Sequence, residues 1–247
     1  MSIPKELFDE YTLDSKIPVY DFHFASGANR TYLNYDKNLV ESFVSKAASK
    51  SVMHYPETDQ WLYEAIEKYP IKENNVLIIG SEEPCYEGVA IHYGATVTMV
   101  EYQRVTSEHE KLKTMTVEEF ENSAEMFDSA ISISSVEHSG LGRYGDAFDP
   151  EGDIKSMKVL YDRLKPGGLC FLAVPMGLDQ ILWNAHRVYG KIRFPMLIDG
   201  WEVVDSFGII ESDYEVDEYE KRQKGKHPHR DGVSGGAHQP VFVLRKK

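Results

Sequence analysis

Residues 75–103 read NVLIIGSEEPCYEGVAIHYGATVTMVEYQ, and the order of events within them decides the fold. Val76-Leu77-Ile78-Ile79 is an unbroken apolar run between polar residues, the pattern of a strand buried on both faces. Gly80 ends the run, residues 85–93 follow as a short helix stopped by Gly94, and Thr96 to Glu101 make a second apolar strand. A strand, a helix and a strand within about thirty residues form a βαβ unit, which implies a parallel sheet.

The same rhythm continues outward. Residues 127–134 (FDSAISIS) predict another buried strand, 153–165 a helix, Lys165-Pro166-Gly167-Gly168 a sharp turn, and 169–174 (LCFLAV) a strand. A less regular region covers 175–198. A strand is expected around Trp201–Ile210, then a charged stretch over 211–231, then a last strand at 240–245. Upstream, residues 1–74 carry scattered aromatics and two helical stretches, 36–50 and 57–69. In the second, Leu62, Ala65, Ile66 and Tyr69 fall on one helical face. The segment 1–74 is read as an N-terminal cap on an α/β domain spanning 75–247, the two forming a single compact unit.

The 247 residues suit one large domain. With 27 Lys and Arg against 40 Asp and Glu, the net charge of −13 repels polyanions, so nucleic acid is not an expected partner. The two cysteines, Cys85 and Cys170, stand alone in apolar runs and suggest neither a disulfide framework nor a zinc site, which fits a reducing compartment. Met1 to Asp14 has no apolar leader core, and no later run reaches the ~18 apolar residues of a membrane span. A cytoplasmic protein without membrane attachment is expected, acting on a small molecule, with a homodimer as the assembly to look for.

Ligands of an open parallel sheet bind beyond the carboxyl ends of its strands. After the first strand comes Gly80-Ser81-Glu82-Glu83-Pro84, which lacks the further glycines that let a backbone approach a pyrophosphate, and its two glutamates repel one. A dinucleotide or ATP is disfavoured there, whereas a cationic sulfonium cofactor, S-adenosylmethionine, is not. Glu101 closes the second strand at the spacing where a carboxylate meets a ribose diol, and Tyr102 beside it suits an adenine or the core.

The densest cluster of ionisable residues is 132–153, SISSVEHSGLGRYGDAFDPEGD. Here His138 is a candidate general base or a loop hydrogen-bonder. Asp146, Asp149 and Asp153 are suited either to a divalent cation or to turn and cap roles, Asp153 as a helix N-cap. Further on, Asn184, His186 and Arg187 lie amid Trp183 and Tyr189, a mixture suited to a polar substrate. His227, His229 and His238 form a weaker metal-ligand pattern in a glycine-rich tail.

These residues together resemble class I S-adenosylmethionine-dependent methyltransferases: Gly80 after a strand, Glu101, the Phe127-Asp128 strand ending near Glu137-His138, and Leu164-Lys165-Pro166-Gly167-Gly168. More closely, GSEEPCYE, VEYQ, the 132–153 segment, LKPGG, VPMG and NAHRVYG are similar to an uncharacterised methyltransferase-like family, a domain of unknown function catalogued from nematode proteins. The resemblance covers about residues 55–210. It implies a Rossmann-like, mostly parallel sheet of about seven strands, with cofactor contacts at Gly80, Glu101 and the Ser134–His138 segment; the cofactor residues expected are Gly80, Ser81, Pro84, Glu101, Tyr102, Ser134 and Ser135. The sequence departs from the wider pattern at Glu82, Pro84 and Ile78, where two glycines and an acidic residue are usual.

The function expected is O-methylation of a small polar acceptor such as a sugar or nucleotide sugar. His138 or His186 would be the base, and Arg143, Tyr144, Asp146, Asn184 and Arg187 would hold the acceptor. The competing functions are a non-catalytic scaffold that has lost its cofactor and a metal-assisted hydrolase or isomerase.

Overall fold

The computed structural model describes residues 3–22, 34–223 and 237–247. Its centre is a seven-stranded sheet of β1 (Asn75–Ile79), β2 (Thr96–Glu101), β3 (Leu112–Thr116), β4 (Phe127–Ile133), β5 (Leu164–Ala173), β6 (Trp201–Phe207) and β7 (Val241–Lys246), in the order β6-β7-β5-β4-β1-β2-β3. Neighbours from β3 across to β5 run parallel, and β7 is antiparallel to both β5 and β6. The chain starts at β1 in the middle, winds out to β3, then returns to β4 on the other side. That reversal opens a crevice between the carboxyl ends of β1 and β4.

Period-two alternation sorts the strand side chains onto two faces. Val76, Ile78, Ile131, Ile133, Phe171, Ala173, Val241 and Val243 enter one core, and Leu77, Ala130, Cys170, Leu172, Phe242 and Leu244 enter the other. Both faces are covered, which is why the strands read as continuous apolar runs rather than alternating ones.

The first face is covered by α1 (Lys37–Ala48), α2 (Pro56–Lys68) and α3 (Cys85–His92), while α4 (Gly152–Arg163) lies against the second. Asp36 caps α1 by accepting from Leu39 N at 2.8 Å. On α2 the expected stripe is buried at Leu62, Ala65 and Ile66, and Tyr69 packs at its edge. Full burial of a Leu or Ile side chain stabilises by about 1.5–3 kcal/mol, so the segment before residue 75 is anchored to the sheet by shared core.

Four local expectations are corrected. Strand β3 and the helix Val117–Glu121 were not foreseen, although Thr116 and Glu119 form a reciprocal capping box at their junction. Lys165-Pro166-Gly167-Gly168 is the irregular start of β5, where the register against β4 shifts between Phe127 and Ser129 and Gly167 takes φ +77°. The irregular region contains a small second sheet in which Gln180–Asn184 pairs with Val19–Phe22 in parallel and with His186–Val188 antiparallel. Asp153 lies inside α4 rather than capping it, and its carboxylate is bound to arginine.

Candidate functional site

The carboxyl ends of β1, β2 and β4 meet. Gly80, at φ +73°, donates its N–H to Val100 O at 3.1 Å, so the chain turns sharply off β1 toward β2. Ser81 N then donates to Glu101 Oε2 at 3.2 Å, and Tyr102 N donates to Oε1 at 2.9 Å. These two bonds fix the Glu101 carboxylate, 8% exposed, beside the first loop. On the other side, a Cβ on Gly80 would overlap the Ser135 hydroxyl. The loop is held from above by Tyr35, whose hydroxyl donates to Ser81 O at 3.1 Å. Gly80, Ser81, Glu101 and Ser135 are thus brought together, with Tyr102 exposed beside them and Pro84 buried at the start of α3.

The electrostatics of this crevice are one-sided. Glu82 and Glu83 are exposed on the loop, and Glu87 and Glu101 are buried under it. A phosphate would meet carboxylates where it needs N–H groups or cations. A cationic ligand with hydroxyl groups to donate fits the same carboxylates, so the residues present fit S-adenosylmethionine.

Beyond β4 a second cluster is organised around Ser134, which is non-glycine yet takes φ +50°. Its N–H donates to Ala173 O at 2.9 Å, tying the turn to β5. Its hydroxyl receives Tyr55 OH at 2.9 Å and Gln239 Nε2 at 3.3 Å and donates to Glu137 Oε1 at 2.8 Å. Tyr55 is positioned by Asp59, whose Oδ2 accepts the N–H groups of Met53, His54 and Tyr55. Glu137 is completely buried, and burial pushes its carboxyl up to about 7.

His138 sits next to this carboxylate, its Nε2 3.6 Å from Glu137 Oε1. Its Nδ1 is 2.7 Å from Ala185 O and 3.2 Å from Arg143 Nη1. Burial, aided by the Arg143 guanidinium, lowers the imidazole to about 3. Arg143 also donates to Ala185 O at 3.0 Å and lies over the Tyr144 ring at 5.0 Å. The His186 ring stands edge-on to His138 with centroids 6.1 Å apart, so both histidines named from sequence occupy one place.

The remaining expected residues have duties to the protein itself. Arg187 donates to the backbone oxygens of Glu137, Ser139, Asp149 and Pro150, and with Arg193 it surrounds the buried Asp153. Burial alone would raise Asp153, but the two guanidinium groups hold its carboxyl below the usual range. Asp146 accepts from the N–H groups of Gly140, Gly142 and Tyr144 and shapes that loop. Asn184 is buried at the end of its small strand. Asp149 pairs with Lys155 at 2.6 Å. Among the described residues no three His, Cys, Asp or Glu side chains are grouped to hold a metal ion. His238 pairs with Asp213 at 3.1 Å, while His227 and His229 lie outside the described residues.

Residues 73–246 match the model of a family described as Caenorhabditis protein of unknown function, DUF268. The chain belongs to that family. No curated protein matches the sequence. Among solved structures it is similar to the Burkholderia thailandensis 1,6-didemethyltoxoflavin-N1-methyltransferase with bound 1,6-didemethyltoxoflavin and S-adenosylhomocysteine, at 16% identity and a TM-score of 0.51, over 85% of this chain and 87% of that one. It is also similar to an S-adenosylmethionine-dependent methyltransferase from Clostridium acetobutylicum (10% identity, 85% and 98% coverage, TM-score 0.47). A third is the mitomycin 7-O-methyltransferase MmcR (10% identity, 84% and 54% coverage, TM-score 0.48), of which the chain spans about half. The first similarity establishes the fold: this DUF268 chain has the Rossmann-like, mostly parallel α/β fold expected from its sequence.

Three residues of the Ser134 cluster are not singled out by the sequence. Tyr55 and Gln239 are 79 and 105 residues from Ser134, and only the folded chain brings them to it. Glu137 was visible in the dense loop, but its histidine neighbour drew the assignment of a base. A glutamate four residues after the end of β4 is the available signal.

Proposed function

We propose that this protein is an S-adenosylmethionine-dependent methyltransferase acting on a hydroxyl of a small polar acceptor, such as a sugar or nucleotide sugar. The observation that carries the reading is the junction of Gly80, Ser81, Glu101 and Ser135 at the strand-order reversal, with the carboxylates of Glu82, Glu83, Glu87 and Glu101 around it. Glu101 would accept the ribose hydroxyls, the turn at Gly80 would bring backbone close to the ligand, and Tyr102 would lie along the adenine. When bound, the cofactor supplies a methyl group made electrophilic by a positively charged sulfur.

The chain's own contribution is alignment. The segment from Ser134 to Tyr144 would hold the acceptor at the end of β4, next to the cofactor crevice through Ser135, with Arg143 and Tyr144 on its polar side. His138 and His186 border the same space. Unpaired buried cysteines fit the cytoplasmic setting, and among the described residues no helix is long and apolar enough to cross a membrane.

The reading is tested by incubating the protein with methyl-labelled S-adenosylmethionine and a fractionated small-molecule extract. Label appearing in a hydroxyl-bearing small molecule, dependent on intact Glu101, is the expected result. Absence of transfer together with absence of cofactor binding would favour the scaffold alternative.

A further inference from the structure

We propose that Glu137 is the catalytic residue that takes the proton from the acceptor's hydroxyl, with Gln239 as the second group that orients that hydroxyl. This rests on the methyltransferase reading above and adds to it the atom that receives the proton.

The argument begins with unmet hydrogen-bonding capacity. Glu137 Oε1 is held by the Ser134 hydroxyl, but Glu137 Oε2, fully buried, has no hydrogen-bond partner among the described residues. Gln239 places its Nε2 on the same Ser134 hydroxyl, and its Oε1 is likewise buried without a partner among the described residues. A buried acceptor left without a donor is costly, because it has lost the hydrogen bonds water would give it. Two such acceptors on either side of one serine call for a ligand that donates, such as a hydroxyl.

Position and chemistry agree with this. Ser134 and Ser135 are consecutive, and a Cβ on Gly80 would meet the Ser135 hydroxyl, so the serine that holds both groups is next in the chain to the one that faces the first loop. Ser134, at φ +50°, holds its hydroxyl against both Glu137 and Gln239. A carboxyl raised to about 7 is matched to proton transfer near neutral pH, whereas His138, lowered to about 3, holds a proton poorly. Arg143 acts on Glu137 as a nearby positive charge and lies 3.2 Å from His138 Nδ1, which disfavours a second cation and so an ammonium acceptor. In the step, the acceptor oxygen bonds to the methyl carbon as the carbon–sulfur bond breaks. That bond's electron pair stays on sulfur, and the hydroxyl proton passes to Glu137 Oε2 and later to water.

The test follows the Glu137 carboxyl by NMR in protein labelled with carboxyl carbon-13 glutamate, with Glu137→Gln assigning the resonance and its thermal melt confirming that it folds. Glycerol at molar concentration serves as the hydroxyl probe and methylammonium chloride as the amine probe, each with S-adenosylhomocysteine present. We expect a titration midpoint near neutrality that glycerol lowers by about one unit, since one hydrogen bond to the carboxylate favours its charged form. Methylammonium should leave it in place, and Ser134→Ala should raise it. A midpoint in the ordinary carboxyl range, or one unmoved by glycerol while S-adenosylhomocysteine binds, overturns the proposal. If glycerol moves the midpoint but S-adenosylhomocysteine does not bind, the methyltransferase reading fails and the hydroxyl site stands.

Discussion

The contact between Gly80 and Ser135 joins the first loop to the end of β4, and it can be broken and repaired by substitution. Gly80→Ala adds a methyl group at φ +73°, a conformation costing an L-residue roughly 1–2 kcal/mol. The same methyl would overlap the Ser135 hydroxyl, and overpacking of that kind costs a further ~1–3 kcal/mol unless the serine rotates away. Ser135→Ala removes the hydroxyl and leaves its Cβ at 3.4 Å from the new methyl, an ordinary contact. The double variant should therefore retain the backbone cost and recover most of the overlap cost. Urea unfolding of the four proteins gives the coupling energy directly, expected at about 1–3 kcal/mol. Additive effects within ~0.5 kcal/mol would show that Gly80 and Ser135 are not in contact, and the assignment of one crevice to both would fall.

Three further outcomes concern buried ionisable groups. Asp153→Asn leaves Arg187 and Arg193 without their buried carboxylate and should cost about 3–5 kcal/mol in urea unfolding; a loss under ~1 kcal/mol would show that the trio is not a buried ion network. Glu137 has its folded carboxyl raised from 4.5 to about 7, so the native state binds the extra proton and wild-type stability falls as pH rises through that window. Glu137→Gln should remove this fall. His138 has the opposite sign: lowered from 6.5 to about 3, it makes stability fall as pH drops through that window, and His138→Asn should flatten that acid limb. Stability–pH curves of the variants that parallel wild type would contradict both shifts.

How far the sequence could be read depended on whether a signal was local. Strands β1, β2, β4, β5 and β7 are buried on both faces and announce themselves as apolar runs, as at Val76–Ile79 and Phe171–Val174. β3, at the edge of the sheet with Lys113 exposed and Thr114 half-buried, shows no such run. The pairing of Gln180–Asn184 with Val19–Phe22 joins segments about 160 residues apart, and nothing in either segment names its partner. The junction of the first loop with β2 was legible because Gly80 and Glu101 sit at fixed distances from their strands. The cluster beyond β4 was not, because the Ser134 hydroxyl gathers Tyr55, Glu137 and Gln239 from three parts of the chain. Arg187 illustrates the converse. A charged residue among aromatics suggests substrate, but its two Nη groups donate to four backbone carbonyls in the interior and its Nε faces Asp153.

The most direct measurement is a calorimetric titration of the purified protein with S-adenosylhomocysteine, repeated with Glu101→Ala and with ATP as the phosphate-bearing comparison. S-adenosylhomocysteine is expected to bind at micromolar concentration, roughly −8 kcal/mol. Glu101→Ala should weaken it by about 1–3 kcal/mol through the lost charged hydrogen-bond acceptor, and ATP should give no heat. Binding of ATP in preference to S-adenosylhomocysteine, or equal affinity in the folded Glu101→Ala protein, would contradict the assignment of this crevice to the methyl-donor cofactor.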